Sequence, residues 1–322
     1  MKRLIIGLIG LIISLVALWL AFRDLDWEAF RGALAQGNVV WVVAASAVLL
    51  SVIPLRGVRW RIFMAPVKEV PVRLTTEATI VGYFGNNALP FRLGELLRSY
   101  FVARQAPAPI TQVFGTVIVE RVVDMLTVLL LLGLLPLMGA VPESLRQPIL
   151  WVVVFCLVLG VVTVWLVRRE EGIPFVRGWL KSFLDDLHLG FTSLRHEQHY
   201  LTLFLTTVAI WLLYLAYIHI AQYAMGLGLS LVQSYLLLVA TTLVMVIPAG
   251  PGFVGTFHAA VILACVNILS VDLPRAQAMA VVLHAIGYIP YTIIGAILYF
   301  KSHLRLQDVK VQALKPEPGS DR

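Results

Sequence analysis

Nine apolar stretches, separated by short polar segments, set the pattern of the chain. Eight of them are Leu4–Phe22, Val39–Leu55, Ile110–Leu137, Ile149–Val167, Leu201–Met225, Leu231–Ile247, Phe253–Leu269 and Ala276–Phe300. Runs of this length suit helices that cross the ~30 Å hydrocarbon core of a bilayer. The ninth, Thr75–Leu89, is shorter and ends in "GNNALPFRLGELLRS", Gly85 to Ser99, where two asparagines, a proline, two glycines, two arginines and a glutamate interrupt the apolar pattern. The pattern predicts an all-α polytopic membrane bundle of about eight spans with one or two re-entrant broken helices. The integral domain covers residues 1–306, and a polar tail, 307–322, has the composition of a disordered segment.

Composition agrees with a membrane solvent. Of 322 residues, 60% are hydrophobic and only 13% charged, where soluble domains carry about 25%. The first run follows Lys2 and Arg3 but lacks a small-residue cleavage site at Ala21-Phe22-Arg23, so it reads as a retained span. Two cysteines, Cys156 and Cys265, both in apolar runs, give neither a disulfide framework nor zinc spacing, and packing is the expected role of each. Three isolated histidines in spans, His219, His258 and His284, are expected to be hydrogen-bonded packing residues.

The net charge of +7 matters through its placement. With the N-terminus in the cytoplasm and eight crossings, 20 of the 25 Lys and Arg fall on the cytoplasmic side: Lys2–Arg3, Arg56–Arg104, Arg168–Arg195 and the tail from Lys301. Arg23, Arg31, Arg146 and Arg275 lie outside and Arg121 lies within a span. This is the positive-inside pattern of a multi-pass protein of the cytoplasmic membrane with both termini cytoplasmic, and it requires Thr75–Leu89 to enter and return without crossing. Basic character then serves anionic lipid at the cytoplasmic face, and nucleic acid is not an expected partner. Two segments read as interfacial helices: Asp24–Gln36, capped by Asp26, and Arg168–Tyr200, with Trp179, Phe183, Leu187 and Phe191 at helical spacing.

Candidate chemistry gathers at the interruptions. Pro90 ends the entering helix near Asn87, and Asn86 and Asn87 can satisfy the backbone groups that the break frees at membrane depth. A second helix then starts around Gly94-Glu95 and runs through Arg98, with Arg92 just ahead of it. A helix N-terminus flanked by arginine suits a phosphate or another anion. In "VIVERVVDMLTVLLLL", Glu120 and Asp124 project from one helix face beside Arg121. Charge inside a span is costly and faces a cavity or a partner. A structural ion-pair network and a wall for a cationic or sugar headgroup are the two readings. "IPAGPGFVGTFHAA" repeats the break with Pro251, Gly252 and Gly255, and places His258 one turn into a helix from Phe253. Pro90/Gly94 and Pro251/Gly255 share a spacing, and paired broken helices in two halves are a transporter signature. In "RGVRWR", Arg56 and Arg59 are expected chiefly to anchor anionic headgroups, with gating of a lipid phosphate as the alternative. No metal site, cofactor or Walker motif is read in the chain.

Arg56-x-x-Arg59-Trp60, "GNNALPFRLGELLR", "ERVVD" and "PAGPGFVGTF" occur in family order over most of the chain. By these residues the protein resembles the transmembrane, flippase-like domain of lysylphosphatidylglycerol synthases and the stand-alone proteins built from that domain. The resemblance implies a prokaryotic cytoplasmic-membrane protein that moves amphiphilic lipids between leaflets; the soluble aminoacyltransferase domain of two-domain members has no counterpart in residues 301–322, so synthase activity is not implied. Relatives commonly carry Glu three residues after the glycine at Gly255, where this chain has His258. Lipid translocation, with lipid-synthesis enzymes as candidate partners, is the expected function. The alternatives are a polyprenyl-phosphate-dependent glycosyltransferase, on the acidic pair Asp24-x-Asp26, and a non-transporting partner of lipid-synthesis enzymes. The charge asymmetry generates the first test: a single cysteine introduced at Lys310 should resist membrane-impermeant thiol reagents in intact cells, and labelling from outside would overturn the topology.

Overall fold

The computed structural model describes residues 2–89, 93–139, 141–168, 199–244 and 249–302. Among them are eleven α-helices and no strand. They are α1 (Lys2–Phe22), α2 (Trp27–Ala35), α3 (Val39–Met64), α4 (Val72–Ala88), α5 (Gly94–Gln105), α6 (Ile110–Leu137), α7 (Glu143–Arg168), α8 (Tyr200–Ala224), α9 (Leu231–Val244), α10 (Thr256–Asn267) and α11 (Leu273–Lys301). The second interfacial segment, Pro90, Arg92 and the tail fall outside the described residues.

Local chemistry sets the ends of these helices. Asp26 caps α2 by accepting from the amides of Glu28 and Ala29 at 3.0 and 3.1 Å. Asn38 caps α3 and Asp272 caps α11 in the same way. Leu89, which precedes Pro90, is extended at φ −109° and ψ 145°, as the residue before a proline prefers. α4 therefore ends at Ala88. Inside the helices, hydroxyls with no water to bond donate to the preceding turn, as Thr79 does to Thr75 O and Thr206 to Thr202 O.

Three helices, α3, α8 and α11, are long and apolar enough to cross a membrane on both criteria. α1, α6 and α7, of 21, 28 and 26 residues, also have crossing length. Large apolar side chains such as Val39, Leu130, Phe155, Leu201, Phe204 and Phe300 are exposed on the outer faces of these helices. In water such a surface would aggregate, and in lipid it costs nothing. The eight apolar runs correspond to α1, α3, α6, α7, α8, α9, α10 and α11. Of these, α10 has 12 residues and α9 has 14 in its described part, about 18 and 21 Å at ~1.5 Å per residue. α10 is a half-length piece, preceded by the interruption at Gly252 and Gly255.

The order of elements repeats. The first half holds three long helices, α1, α3 and α6, with the broken pair α4/α5 between the second and third. The second half holds α7, α8 and α11, with α9/α10 at the same place. α3 packs along α8, and α4 packs against α3, α5 and α11. The two breaks meet. Asn87 Nδ2 donates to Thr292 Oγ1 at 2.9 Å and to the Tyr288 carbonyl at 3.3 Å. The Tyr288 hydroxyl returns a bond to Asn87 O at 3.4 Å. Gly252, in the second break, lies against the Tyr288 ring and the Asn87 carbonyl.

Two features of the second break differ from the expected helix at Phe253. A short 3₁₀ turn, Pro251–Phe253, comes first, and α10 starts only at Thr256. Gly252 and Gly255 hold φ of +64° and +90°, which interrupt right-handed helix, and Phe253 itself is left-handed at φ 57°. His258 thus sits in the first turn of α10. The two cysteines also part company: Cys265 is buried, whereas Cys156 is partly exposed on α7.

α5 packs so tightly on α4 that a Cβ on Gly94 would collide with Gly82 O and lie 2.6 Å from Asn86 Oδ1. Gly32 in α2 has nothing within 4 Å of its Cβ position. Gly94→Ala should therefore destabilise the purified protein by more than ~1–3 kcal/mol, the usual cost of overpacking, because backbone cannot rotate out of the way. Gly32→Ala should be neutral or stabilising by up to ~1 kcal/mol, on helix propensity. Equal melting temperatures for the two variants would refute the close approach.

Candidate functional site

Three elements bring charge to one place inside the bundle, and a fourth adds neutral partners. α3 supplies Arg56 and Arg59, three residues apart and so on one face. α6 supplies Glu120 and Asp124, four apart on the face opposed to them, with Arg121 beside. α5, the returning arm of the first break, supplies Glu95 and Arg98. α8 supplies Tyr214 and Thr207.

Glu120 is the centre. Its side chain has no exposed surface, and its Oε1 accepts from Arg56 Nη1 at 2.7 Å, Arg59 Nη2 at 3.1 Å and Arg121 Nη2 at 3.1 Å. Its Oε2 accepts from Arg98 Nη1 at 2.9 Å. Asp124 binds three of the same arginines: Arg59 Nη2 reaches Oδ1 at 2.6 Å, and Arg56 and Arg121 reach Oδ2 at 3.1 Å. Arg98 Nη2 stands 2.9 Å from Glu95 Oε2. Both carboxylates of α6 are thus saturated by resident guanidinium groups. Arginine is the cation suited to this, since it stays charged and its planar fork can serve two acceptors at once.

Neutral groups complete the shell. Tyr214 Oη accepts from Arg56 Nε at 2.9 Å. The Arg98 guanidinium carbon lies 4.7 Å from the centroid of the Trp60 ring, within cation–π range, and Trp60 Nε1 donates to Thr116 Oγ1 at 3.0 Å. Tyr83 of α4 stacks on Tyr291 of α11 with ring centroids 4.8 Å apart. Counted over the described residues, four guanidinium groups face three carboxylates. One positive charge is in excess.

Sequence reading located most of this cluster and misassigned part of it. Arg56 and Arg59 are buried on Glu120 and Asp124 and do not face lipid headgroups, because α3 continues one and a half turns beyond Arg59 before it ends at Met64. Glu120 and Asp124 present no free oxygen to a cationic headgroup. Arg121 pairs with Asp124, and Glu95 with Arg98. Asn86 and Asn87 do satisfy the break: Asn86 Oδ1 accepts from the Gly94 amide at 3.1 Å, and Asn87 ties the tip to α11. Arg92 lies outside the described residues. Tyr83, Tyr214 and Tyr291 were missed, although a phenol inside an apolar run is itself a signal, since it must find a partner. Trp60 was visible only as part of a motif.

Pro251, Gly252, Gly255 and His258 form a separate cluster at the second break. His258 and His284, read as isolated, pack ring to ring with centroids 4.6 Å apart, because α11 runs past the start of α10. His284 Nε2 donates to Gly252 O at 2.8 Å, and His258 Nδ1 accepts from the Gly255 amide at 3.4 Å. α1 closes this cluster: Ser14 Oγ accepts from the Gly250 amide at 2.8 Å, and Phe22 packs against His258. His219 is hydrogen-bonded to Ser234 at 2.9 Å, as expected of a packing histidine. Among the described residues no three His, Cys, Asp or Glu side chains are grouped to hold a metal ion.

Residues 7–295 match the family defined as the lysylphosphatidylglycerol synthase TM region. The chain is 24% identical over 337 aligned positions to a protein of Haloferax volcanii named glycosyltransferase AglD, an alignment covering 89% of this chain and 53% of that one. It therefore spans about half the length of that relative. It is 22% identical over 220 positions to the UPF0104 membrane protein MJ1078 of Methanocaldococcus jannaschii, covering 67% of this chain and 93% of the other.

The cluster generates a stability test. Glu120→Gln leaves Asp124 and Glu95 against four arginines, three of them buried, and Arg59→Gln leaves the acids short of a donor. Each single change should cost ~3–5 kcal/mol, as breaking a buried ion pair does. The double variant should cost less than the sum by at least ~1 kcal/mol, the coupling expected of side chains in contact. Additive losses in equilibrium unfolding in micelles would show that the two groups do not pair.

Proposed function

The chain belongs to the lysylphosphatidylglycerol synthase TM-region family, and we propose that it translocates a phosphate-bearing amphiphilic lipid between the leaflets of the cytoplasmic membrane. A lipid headgroup cannot pass through hydrocarbon without polar partners, since each unsatisfied polar group there costs several kcal/mol. The observation that carries this reading is the cation-rich cluster buried inside an otherwise apolar bundle, beside the tip of a broken helix. Arg98, Arg121 and the start of α5 at Gly94-Glu95 receive the headgroup, with the chains left in lipid. Arg56 and Arg59 hold Glu120 and Asp124 in place beneath them.

The repeat of three long helices and one broken pair supports alternating access. Taking α9 and α10 as the arms of one re-entrant pair gives six crossings in place of the eight expected from the apolar runs; three per half invert one half relative to the other, so α4/α5 enters from the cytoplasmic side and α9/α10 from the outer side. Their tips meet at Asn87, Tyr288 and Gly252. This arrangement and the charge asymmetry also support cytoplasmic termini. The glycosyltransferase alternative draws on the name of the Haloferax relative. Asp26 of the Asp24-x-Asp26 pair is engaged in capping α2, and the exposed Asp24 pairs with Arg23 at 3.1 Å.

Purified protein reconstituted in liposomes decides the matter. Fluorescent acyl-labelled phosphatidylglycerol should become accessible to dithionite from the inner leaflet only when protein is present, with and without an imposed proton gradient. Arg98→Gln should slow this by roughly tenfold or more, the loss of one charge-assisted hydrogen bond. Bleaching confined to the outer leaflet in every condition would overturn the proposal.

A further inference from the structure

We infer that the two histidines at the second break form a binding site for one proton, taken up at His284 Nδ1, and that this proton and an anionic lipid phosphate at the junction of the breaks favour each other's binding. The inference rests on the translocation reading and deepens it by naming an ion that accompanies the cargo.

The hydrogen bonds fix where a proton can go. Gly252 O can only accept, so His284 Nε2, 2.8 Å away, carries the ring proton. Nδ1 of the same neutral ring is then a lone pair. The Gly255 amide can only donate, so His258 Nδ1, 3.4 Å away, is the unprotonated nitrogen of its ring. Protonation of His284 at Nδ1 leaves its bond to Gly252 intact and makes that bond charge-assisted. Protonation of His258 at Nδ1 would set a donor against the Gly255 amide and strip the first turn of α10 of its cap. His284 is partly exposed and His258 is buried, so access selects the same nitrogen. The ring centroids are 4.6 Å apart, and two positive charges so close inside a span repel strongly. The site holds one proton.

The surroundings suit a cation on His284. The Tyr288 ring stacks on it with centroids 5.3 Å apart, and Phe257 lies at 5.6 Å. From α1, Phe22 faces His258 at 5.8 Å. α4 faces the pair through Asn87 O, which meets Gly252 and the Tyr288 hydroxyl. Of these groups only Tyr288 titrates. Ionised groups described on the packed elements are engaged: Arg23 with Asp24, Arg73 with Glu77, Arg275 with Asp272, and Arg56 and Arg59 with the acids of α6. Glu28 and Arg31 of α2, Arg61 of α3 and Lys301 of α11 are exposed.

The pair stands at the junction. Gly252, whose carbonyl His284 holds, lies against the Tyr288 ring and the Asn87 carbonyl. On the translocation reading, a headgroup leaving Arg98 and Arg121 arrives where these tips meet. A phosphate there and a proton on His284 stabilise one another by charge, and linkage makes the effect reciprocal.

Histidine-selective nitrogen NMR of the full chain in non-ionic detergent tests the site, with the His284 signals identified by their loss in His284→Gln. Between about pH 8 and about pH 5, the range of histidine, His284 Nδ1 should become protonated and His258 Nδ1 should not. Phosphatidylglycerol should raise the protonated fraction of His284 at about pH 6, and phosphatidylcholine should leave it unchanged. By the same linkage, phosphatidylglycerol should bind about tenfold more tightly at the acid end than at the alkaline end. His284→Gln, whose amide can still donate to Gly252 O, should abolish that dependence, and His258→Gln should retain it. Protonation of both rings, protonation of neither with phosphatidylglycerol present, or pH-independent binding of this lipid to the wild type would overturn the inference. If His284→Gln fails to fold, the wild-type titration decides, with signals assigned through His258→Gln. Arg98→Gln separates the site from the surface charge of a lipid-loaded micelle: the gain from phosphatidylglycerol should vanish there, and its persistence would refute the linkage. The same gain from soluble glycerophosphoglycerol would refute the lipid as the linked anion. Linked binding with no lipid movement in liposomes at any pH leaves the proton site standing and refutes translocation. Lipid movement together with pH-independent binding keeps translocation and refutes the proton site.

Discussion

The rest of the structure depends on one fully buried carboxylate. Glu120 accepts from Arg56, Arg59, Arg98 and Arg121, and through them it joins α3, α5 and α6. No apolar contact could substitute for it, because helices in lipid gain little from hydrophobic association. Here the reverse of the usual rule applies. Several arginines can enter the membrane because two acids wait for them, and the acids can be there because the arginines saturate every oxygen. Remove one member and the others become uncompensated charges. This mutual dependence makes the cluster cohesive as a group, although a buried ion pair taken singly is weak evidence for stability.

Around that centre the fold solves a second problem, the backbone freed at two helix breaks. The solutions are local and use small or amide-bearing residues. Asn86 accepts from Gly94 N, Asn87 bridges to α11, Ser14 of α1 accepts from Gly250 N, and His284 donates to Gly252 O. α1 and α11 therefore act as splints for the breaks. Their own apolar outer faces belong to lipid, and their inner faces carry the few polar atoms that the broken elements lack. A break with no such splint would have to face water.

The sequence made the framework legible because membrane helices follow length and hydropathy, which survive without knowledge of neighbours. The break at Pro90 was legible from proline's effect on Leu89, and the cap at Asp26 from its own side chain. Pairings across helices were not. Arg56 and Arg59 look like an interfacial basic cluster because they follow an apolar run, and nothing local shows that α3 continues to Met64. His258 and His284 are 26 positions apart, and only the crossing of α10 and α11 makes them neighbours. The delayed start of α10 was hidden as well: the sequence marks Gly252 and Gly255 as permissive, but their left-handed φ values follow from the contact with Tyr288 and α1.

The two halves share a frame but not a chemistry. The first break carries Glu95 and Arg98 into the charged cluster, whereas the second presents His258, His284, Phe257 and Tyr288, rings with no formal charge partner among the described residues. The buried guanidinium groups of the described residues therefore gather on the side of α4/α5. A symmetric pair of arginine clusters would hold a phosphate equally well at both ends and slow its release from either. On the translocation proposal, one charged station and one aromatic station, joined where Asn87 meets Tyr288, would give a headgroup a place to be desolvated and a weaker place from which to leave. Under that proposal, the need for release accounts for equivalent elements carrying such unequal side chains.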